Sequence, residues 1–277
     1  MSEQVWFITG ASRGLGRALA EEALAAGHRV AASARRPEAL SVLAEKYSGR
    51  VLPVALDVTD LTQAQQAIQH AADHFGQIDV VVNNAGCANL ASIEDVSMED
   101  FRAQVEVVFF GTVHVTKAAL PIMRRQGRGH FIQVASVWGR ITTPGLAAYQ
   151  SAKFAVEGFS GVLRQEVAPL GVKVTVAEPG GMRTDWAGSS MELRPISDPY
   201  QPTVGAIGER LRAGSGREPI DPVKAARALI DIAAADEPPF HLLLGSDAAR
   251  YGAAALEEIS AEDGRWARVG NAVDFDH

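Results

Sequence analysis

Cysteine is nearly absent from this chain: Cys87 is the one cysteine in 277 residues. An intrachain disulfide is therefore excluded, and so is a metal cluster built from thiolates. Positive charge is also scarce. Lys and Arg together number 26 against 33 Asp and Glu, a formal net charge of −7, which argues against a nucleic-acid surface. No apolar run is long enough to cross a bilayer. The start of the chain, Met1-Ser2-Glu3-Gln4, lacks the basic segment and cleavage site of a signal peptide. His28, His70, His74 and His114 are scattered without metal-ligand spacing, so no metal site is expected. A cytoplasmic enzyme, without nucleic-acid or membrane partners, is the default expectation.

What is present is alternation. Strands are predicted over residues 5–9, 29–34, 51–56, 79–83, 129–135, 172–178 and 240–244, and helices over 14–26, 60–75, 101–126 and 147–169. Val80-Val81-Val82 is apolar at every position, as a strand buried on both faces is. The order predicts an α/β fold. It would be a single doubly wound Rossmann-type domain over residues 1–277, with a seven-stranded, mostly parallel sheet. Right-handed crossovers then place the strand C-termini along one edge, where ligands bind. Residues 186–222, rich in Gly, Ser and Pro, read as an inserted substrate loop, either a lid or a poorly ordered segment. The tail after Asp247 reads as charged and turn-rich, with no assignable role.

Gly10, Gly14 and Gly16 join the first strand to the first helix, with Ser12, Arg13 and Leu15 among them. Glycines let the backbone approach a ligand, and a helix N-terminus offers free N–H groups to phosphate. The second strand ends in Ser33-Ala34-Arg35-Arg36, with no acid to hold a ribose 2′-hydroxyl. Arg35 and Arg36 present guanidinium forks to a 2′-phosphate instead, and Arg13 is placed to meet it from the loop. The predicted cofactor is NADP(H); the alternative for the arginine pair is plain solvation.

Tyr149 and Lys153 are four residues apart on one predicted helix and so share a face. A free phenol, with a pKa of about 10, is a poor acid–base catalyst near neutrality. A neighbouring ammonium favours the phenolate. Ser136 can hydrogen-bond a substrate oxygen and hold it beside the phenol.

With these motifs in order, the chain resembles the short-chain dehydrogenase/reductase family over about residues 4–246. The resemblance rests on the glycine loop, Asp57-Val58, Asn83-Asn84-Ala85-Gly86, Ser136, Tyr149-x-x-x-Lys153, and Pro179-Gly180 with Thr184. It implies reversible, NADPH-dependent reduction of a ketone or aldehyde to an alcohol, with Tyr149 as general acid. Lys153 would lower the phenol pKa and bond the nicotinamide ribose, and Ser136 would polarise the carbonyl. Asp57 would meet the adenine amine and Val58 its ring. Asn84, Ala85 and Gly86 would line the cofactor cleft, and Pro179, Gly180, Met182 and Thr184 would cover the nicotinamide. A homodimer or homotetramer is implied as well.

One position departs from the family. Val108 stands three residues before Gly111, where the family usually carries an Asn that fixes a proton-relaying water. The departure fits a reductase with slower or rerouted proton supply. It also fits a non-catalytic NADP(H)-binding redox sensor or regulator, or a scaffold repurposed for another chemistry. Trp138 either walls the pocket or packs over a surface loop. Leu90, Trp138, Leu146, Met182, Trp186, Met191 and Leu193 are the expected substrate lining by loop position, which predicts a small hydrophobic carbonyl or alcohol substrate. Cys87 reads as small filler and His241 as structural.

Overall fold

The first strand, β1 (Val5–Ile8), is buried at every position in the computed structural model, which describes residues 2–186 and 191–275. Its side chains alternate between two cores. Trp6 and Ile8 enter one, Val5 and Phe7 the other, as required of a strand with helices on both faces. The chain continues through α1 (Gly14–Ala25), β2 (Arg29–Ala34), α2 (Ser41–Lys46), β3 (Val51–Ala55), α3 (Leu61–Phe75), β4 (Val80–Asn83) and β5 (Ala88–Leu90). Then come α4 (Met98–Val105), α5 (Gly111–Gln126), β6 (Gly129–Val134), α6 (Ala147–Val167), β7 (Val172–Pro179) and β8 (Met191–Leu193). The last elements are α7 (Ala206–Gly214), α8 (Pro222–Ala234), β9 (His241–Leu244) and α9 (Ser246–Asn271).

Seven strands form one sheet in the order β3-β2-β1-β4-β6-β7-β9. All of its pairings are parallel, so the expected mostly parallel sheet is wholly parallel. The strand order reverses between β1 and β4, which opens a crevice at their C-terminal ends. Local chemistry sets the flanking helices. The Asp60 carboxylate caps α3 by accepting from the Thr62 and Gln63 amides, and Gly76 ends it in the left-handed conformation at φ 81°.

Three expectations are corrected. Residues 186–222 are no plain loop: β8 pairs with β5 in a small second sheet, and α7 follows. The tail is α9, a helix of 26 residues of which only Ala248 and Gly252 are buried. The helix expected from residue 101 starts at Met98, with the Ser97 hydroxyl accepting from the Asp100 amide. It passes through a π-turn at Glu106–Phe110 before α5. By length and composition alone this stretch, Met98–Gln126, is long and apolar enough to cross a bilayer, which the count of apolar runs did not anticipate. Its Val115, Ala119, Ile122 and Met123 are packed into the core against the sheet.

Candidate active site

A cleft of about 620 Å³ runs along the C-terminal edge of the sheet. At one end lies the glycine loop. Gly10 and Gly14 sit at φ +66° and +57°, conformations that L side chains rarely adopt. A Cβ at Gly16 would collide with the Gly10 carbonyl and the Asn84 amide. The Thr9 hydroxyl ties the loop to the turn after β4, accepting from the Asn84 and Ala85 amides at 2.9 and 3.0 Å. The Asn84 side chain donates back to the Thr9 carbonyl at 2.9 Å. Arg13 stands at the N-cap of α1 and makes no side-chain capping bond, so the helix's first-turn N–H groups are free for an anion. Arg13 and Arg35 stand exposed on the rim of the cleft. These residues fit a dinucleotide. A pyrophosphate suits the uncapped helix, and the glycine positions leave the space that a Cβ would fill.

At the other end, α6 turns Tyr149 and Lys153 toward the sheet, leaving them 7% and 5% exposed. Ser136 follows β6, and its hydroxyl accepts from the Trp138 amide at 3.2 Å and donates to the Pro179 carbonyl at 3.4 Å. Trp138 meets the Tyr149 ring edge-on at 6.2 Å, and Trp186 lies 5.3 Å from Tyr149 and 5.4 Å from Trp138. Of the two readings of Trp138, the aromatic wall is therefore the one observed. The Lys153 Nζ lies 5.5 Å from the centre of the Tyr149 ring and donates to the Val134 carbonyl at 2.6 Å.

Burial pushes the Tyr149 phenol up by disfavouring the phenolate, and a hydrogen bond with Ser136 offsets part of this. Burial pushes the Lys153 ammonium down to about 8, with Glu157 and Cys87 opposing.

Two unlike surfaces flank this pair. On one side Val108, 1% exposed, packs with Ala88, Tyr149 and Ala152. Its carbonyl accepts from the Thr112 hydroxyl at 2.9 Å. On the other side is a polar cluster that sequence reasoning missed. Arg140 forks onto the fully buried Glu178, with one bond from Nη2 at 2.7 Å and a second contact from Nε. The His241 Nδ1 lies 2.8 Å from Glu178 and 3.5 Å from Glu157. Burial and the Glu178 charge push the Glu157 carboxyl up to about 8, with Arg140 and Lys153 opposing.

The cleft brings together most of the predicted residues: Gly10, Ser12, Arg13, Gly14, Leu15, Arg35, Asp57, Val58, Asn84, Ala85, Gly86, Ser136, Trp138, Tyr149, Lys153, Pro179, Gly180, Met182, Thr184 and Trp186. Six predicted residues do not line it: Gly16, Arg36, Leu90, Leu146, Met191 and Leu193. Gly16 lies behind the loop and serves its packing. Arg36 follows Arg35 in extended backbone, where successive side chains point to opposite sides. Leu146, 1% exposed, packs with Leu90, Met191 and Val204 beneath the cleft, and Leu193 joins them there. Cys87 reaches the wall, and burial pushes its thiol up. Arg210, Leu211 and Arg217 also line the cleft and were not anticipated, although Val204, Ile207, Gly208 and Leu211 carry a helical period.

Fold and site define a doubly wound α/β protein with a serine–tyrosine–lysine site at its strand ends. The short chain dehydrogenase family profile matches residues 4–194. Oxidoreductase BOA17 of Botryotinia fuckeliana is 55% identical over 264 residues, 95% of this chain and 96% of that one. A short-chain dehydrogenase from Streptomyces avermitilis superposes with a TM-score of 0.92 at 37% identity, covering 99% of this chain and all of that one. A short-chain dehydrogenase from Burkholderia cenocepacia in complex with NADP has a TM-score of 0.75 at 27% identity, covering 95% and 97%. The chain belongs to the short-chain dehydrogenase family and is an oxidoreductase of that family.

Proposed function

We propose that the protein is an NADP(H)-dependent carbonyl reductase that reversibly converts a ketone or aldehyde to an alcohol, with Tyr149 as general acid. The observation that carries this reading is one continuous cleft. It runs from the uncapped start of α1, with Arg13 and Arg35, to Ser136, Tyr149 and Lys153. Bound nicotinamide supplies the hydride. Ser136 holds the carbonyl oxygen beside the phenol, and Tyr149 gives that oxygen its proton. The raised phenol pKa keeps Tyr149 protonated at neutral pH, the form an acid needs. Lys153 favours the phenolate as it develops.

The preference for NADP(H) rests on Arg13 and Arg35, on the lack of an acid after β2, and on the NADP-bound Burkholderia relative. A small hydrophobic substrate suits the walls formed by Trp138, Met182, Trp186 and Leu211. Helix α7 supplies the last of these, which supports a substrate role for the inserted segment. We further propose a cytoplasmic homodimer or homotetramer without nucleic-acid or membrane partners. Leu256, Ile259, Trp266 and Val269 on α9 are more than half exposed, and a second copy is the cover this reading assigns them.

The test is NADPH oxidation against a panel of aldehydes, aromatic ketones and bulky alicyclic ketones, with Tyr149→Phe as control. Turnover that vanishes in the variant supports the reading. NADPH binding without turnover on any carbonyl would favour the sensor alternative, which the apolar Val108 motivates.

A further inference from the structure

The turn after β7 reaches the cleft with Pro179, Gly180, Gly181, Met182 and Thr184. Two glycines in succession give it little stiffness of its own, so its place depends on what ties it. One margin is held by backbone. The Ile220 amide donates to the Gly181 carbonyl at 3.1 Å, and the Arg183 amide donates to the Ile220 carbonyl at 2.9 Å. The other margin rests on the end of β9 and the start of α9. Pro179 is level with Leu244 of β9, and the Gly180 amide donates to the Leu244 carbonyl at 3.0 Å. The Gly181 amide donates to a side chain instead, the Asp247 carboxylate, at 2.8 Å. That carboxylate sits in a cradle of glycine. A Cβ on Gly180 would run into both of its oxygens, and a Cβ on Gly245 would stand 2.7 Å from Oδ1. Asp247 belongs to the first turn of α9, which has no side-chain cap and favours a negative charge. A charged acceptor there makes a stronger bond to an amide than a neutral one does.

We propose that Asp247 is a positioning residue for the cofactor. It fixes the Gly180–Gly181 turn against the edge of the sheet, and so sets where Pro179, Met182 and Thr184 stand in the cleft. This rests on the reading that the turn covers the nicotinamide of NADP(H). Asp247 does not itself line the cleft, so its effect on a ligand passes through the turn. The 2′-phosphate, assigned to Arg13 and Arg35, takes no part in the contact. The nicotinamide half of the cofactor should therefore feel a change at Asp247, and the adenosine half should not. The proposal also gives α9 a function at its first turn, although beyond Gly252 the helix buries no residue.

The test compares Asp247→Ala, Asp247→Asn and Gly180→Ala, each checked first for melting temperature without cofactor. Two ligands are titrated: NADPH, and 2′-phospho-ADP-ribose, which lacks the nicotinamide. Asp247→Ala is expected to weaken NADPH on the order of tenfold, the low end of what a hydrogen bond to a charged group contributes. Its affinity for 2′-phospho-ADP-ribose should stay at the wild-type value. Asp247→Asn keeps an acceptor oxygen for the Gly181 amide and should recover most of the NADPH affinity. In the cofactor-free protein, hydrogen exchange at the Gly181 amide should quicken in Asp247→Ala and stay slow in Asp247→Asn. Gly180→Ala should also weaken NADPH, because its Cβ claims the space of the carboxylate. Introduced into Asp247→Ala it should do less harm, since that space is then free, and a double-mutant cycle reads the coupling. Wild-type NADPH affinity in Asp247→Ala, equal loss of both ligands, or additive effects of the pair would overturn the proposal. Wild-type protein that binds NADPH no more tightly than 2′-phospho-ADP-ribose, and keeps that equality in every variant, would overturn the reading of the turn as a nicotinamide cover instead. If Asp247→Ala does not fold, the response of Gly180→Ala to the two ligands decides.

Discussion

The two ends of the cleft are built from opposite materials. The dinucleotide end is largely backbone: Gly10, Gly14 and the open first turn of α1, with Arg13 and Arg35 exposed at the rim. The catalytic end is side chain against side chain, with Tyr149 enclosed by Trp138, Trp186 and Val108. A phosphate keeps strong acceptor oxygens and tolerates water nearby, so flexible arginines serve it well. A proton transfer depends on a set pKa, which burial and fixed neighbours supply. Substitutions at the first end should therefore act through affinity, and at the second through rate.

The largest expected effect is at the catalytic end. Tyr149→Phe should lower kcat by about 10²–10⁴-fold while NADPH affinity by fluorescence titration stays near wild type. An affinity loss of the same size would erase the division. Next, Arg35→Asp should shift the ratio of NADPH to NADH affinity by roughly 10- to 100-fold toward NADH, since a charged hydrogen bond contributes about 1.5–3 kcal/mol. An unchanged ratio would remove Arg35 from the cofactor site. Gly16→Ala forces a Cβ against the Gly10 carbonyl and Asn84, and overpacking of this kind costs about 1–3 kcal/mol. It should lower both melting temperature and NADPH affinity, and a wild-type Tm would show that the loop yields freely. The smallest effect is expected from Trp186→Ala. Removing its two ring contacts, each contributing about 0.5–1.5 kcal/mol, opens the aromatic wall. Bulky ketones should then gain kcat/KM over small aldehydes by roughly two- to tenfold; an unchanged selectivity would place the substrate elsewhere.

Much of this was legible in the sequence. The strands were readable because residues such as Trp6, Phe7, Val80 and Val81 leave no polar face, and the site because loop glycines and a Tyr–Lys helical pair have fixed spacings. Other features depended on packing. In α7 the Val204, Ile207 and Leu211 period is obscured by Pro199, Pro202 and Gly205 beside it. In α9 the buried Gly252 and the exposed Ile259 and Trp266 fall at heptad steps, but Gly264, Gly270 and the surrounding charges hide them. Leu146 looked like pocket lining by its loop position, yet it is buried with Leu90, Met191 and Val204, and the pocket walls Trp138 and Trp186 pack against that cluster. The Glu157, Glu178, Arg140 and His241 group comes from four separate parts of the chain. Only the pairing of β9 beside β7, with His241 level with Val176, brings it together.

Strand β1 also has a kinetic consequence. It comes first along the chain, yet it lies in the interior of the sheet, where Phe7 is level with Ala31 of β2 and Val81 of β4. The Val5 amide waits for the Asp79 carboxylate, its partner at 2.8 Å. During synthesis one edge of β1 is satisfied once β2 emerges, but the other stays open until β4 does. At roughly 5–20 residues per second that interval lasts on the order of seconds. Throughout it, the hydrophobic midline of the future sheet is an unprotected edge. A chain stopped short of β4 would carry a ready template for pairing with its neighbours.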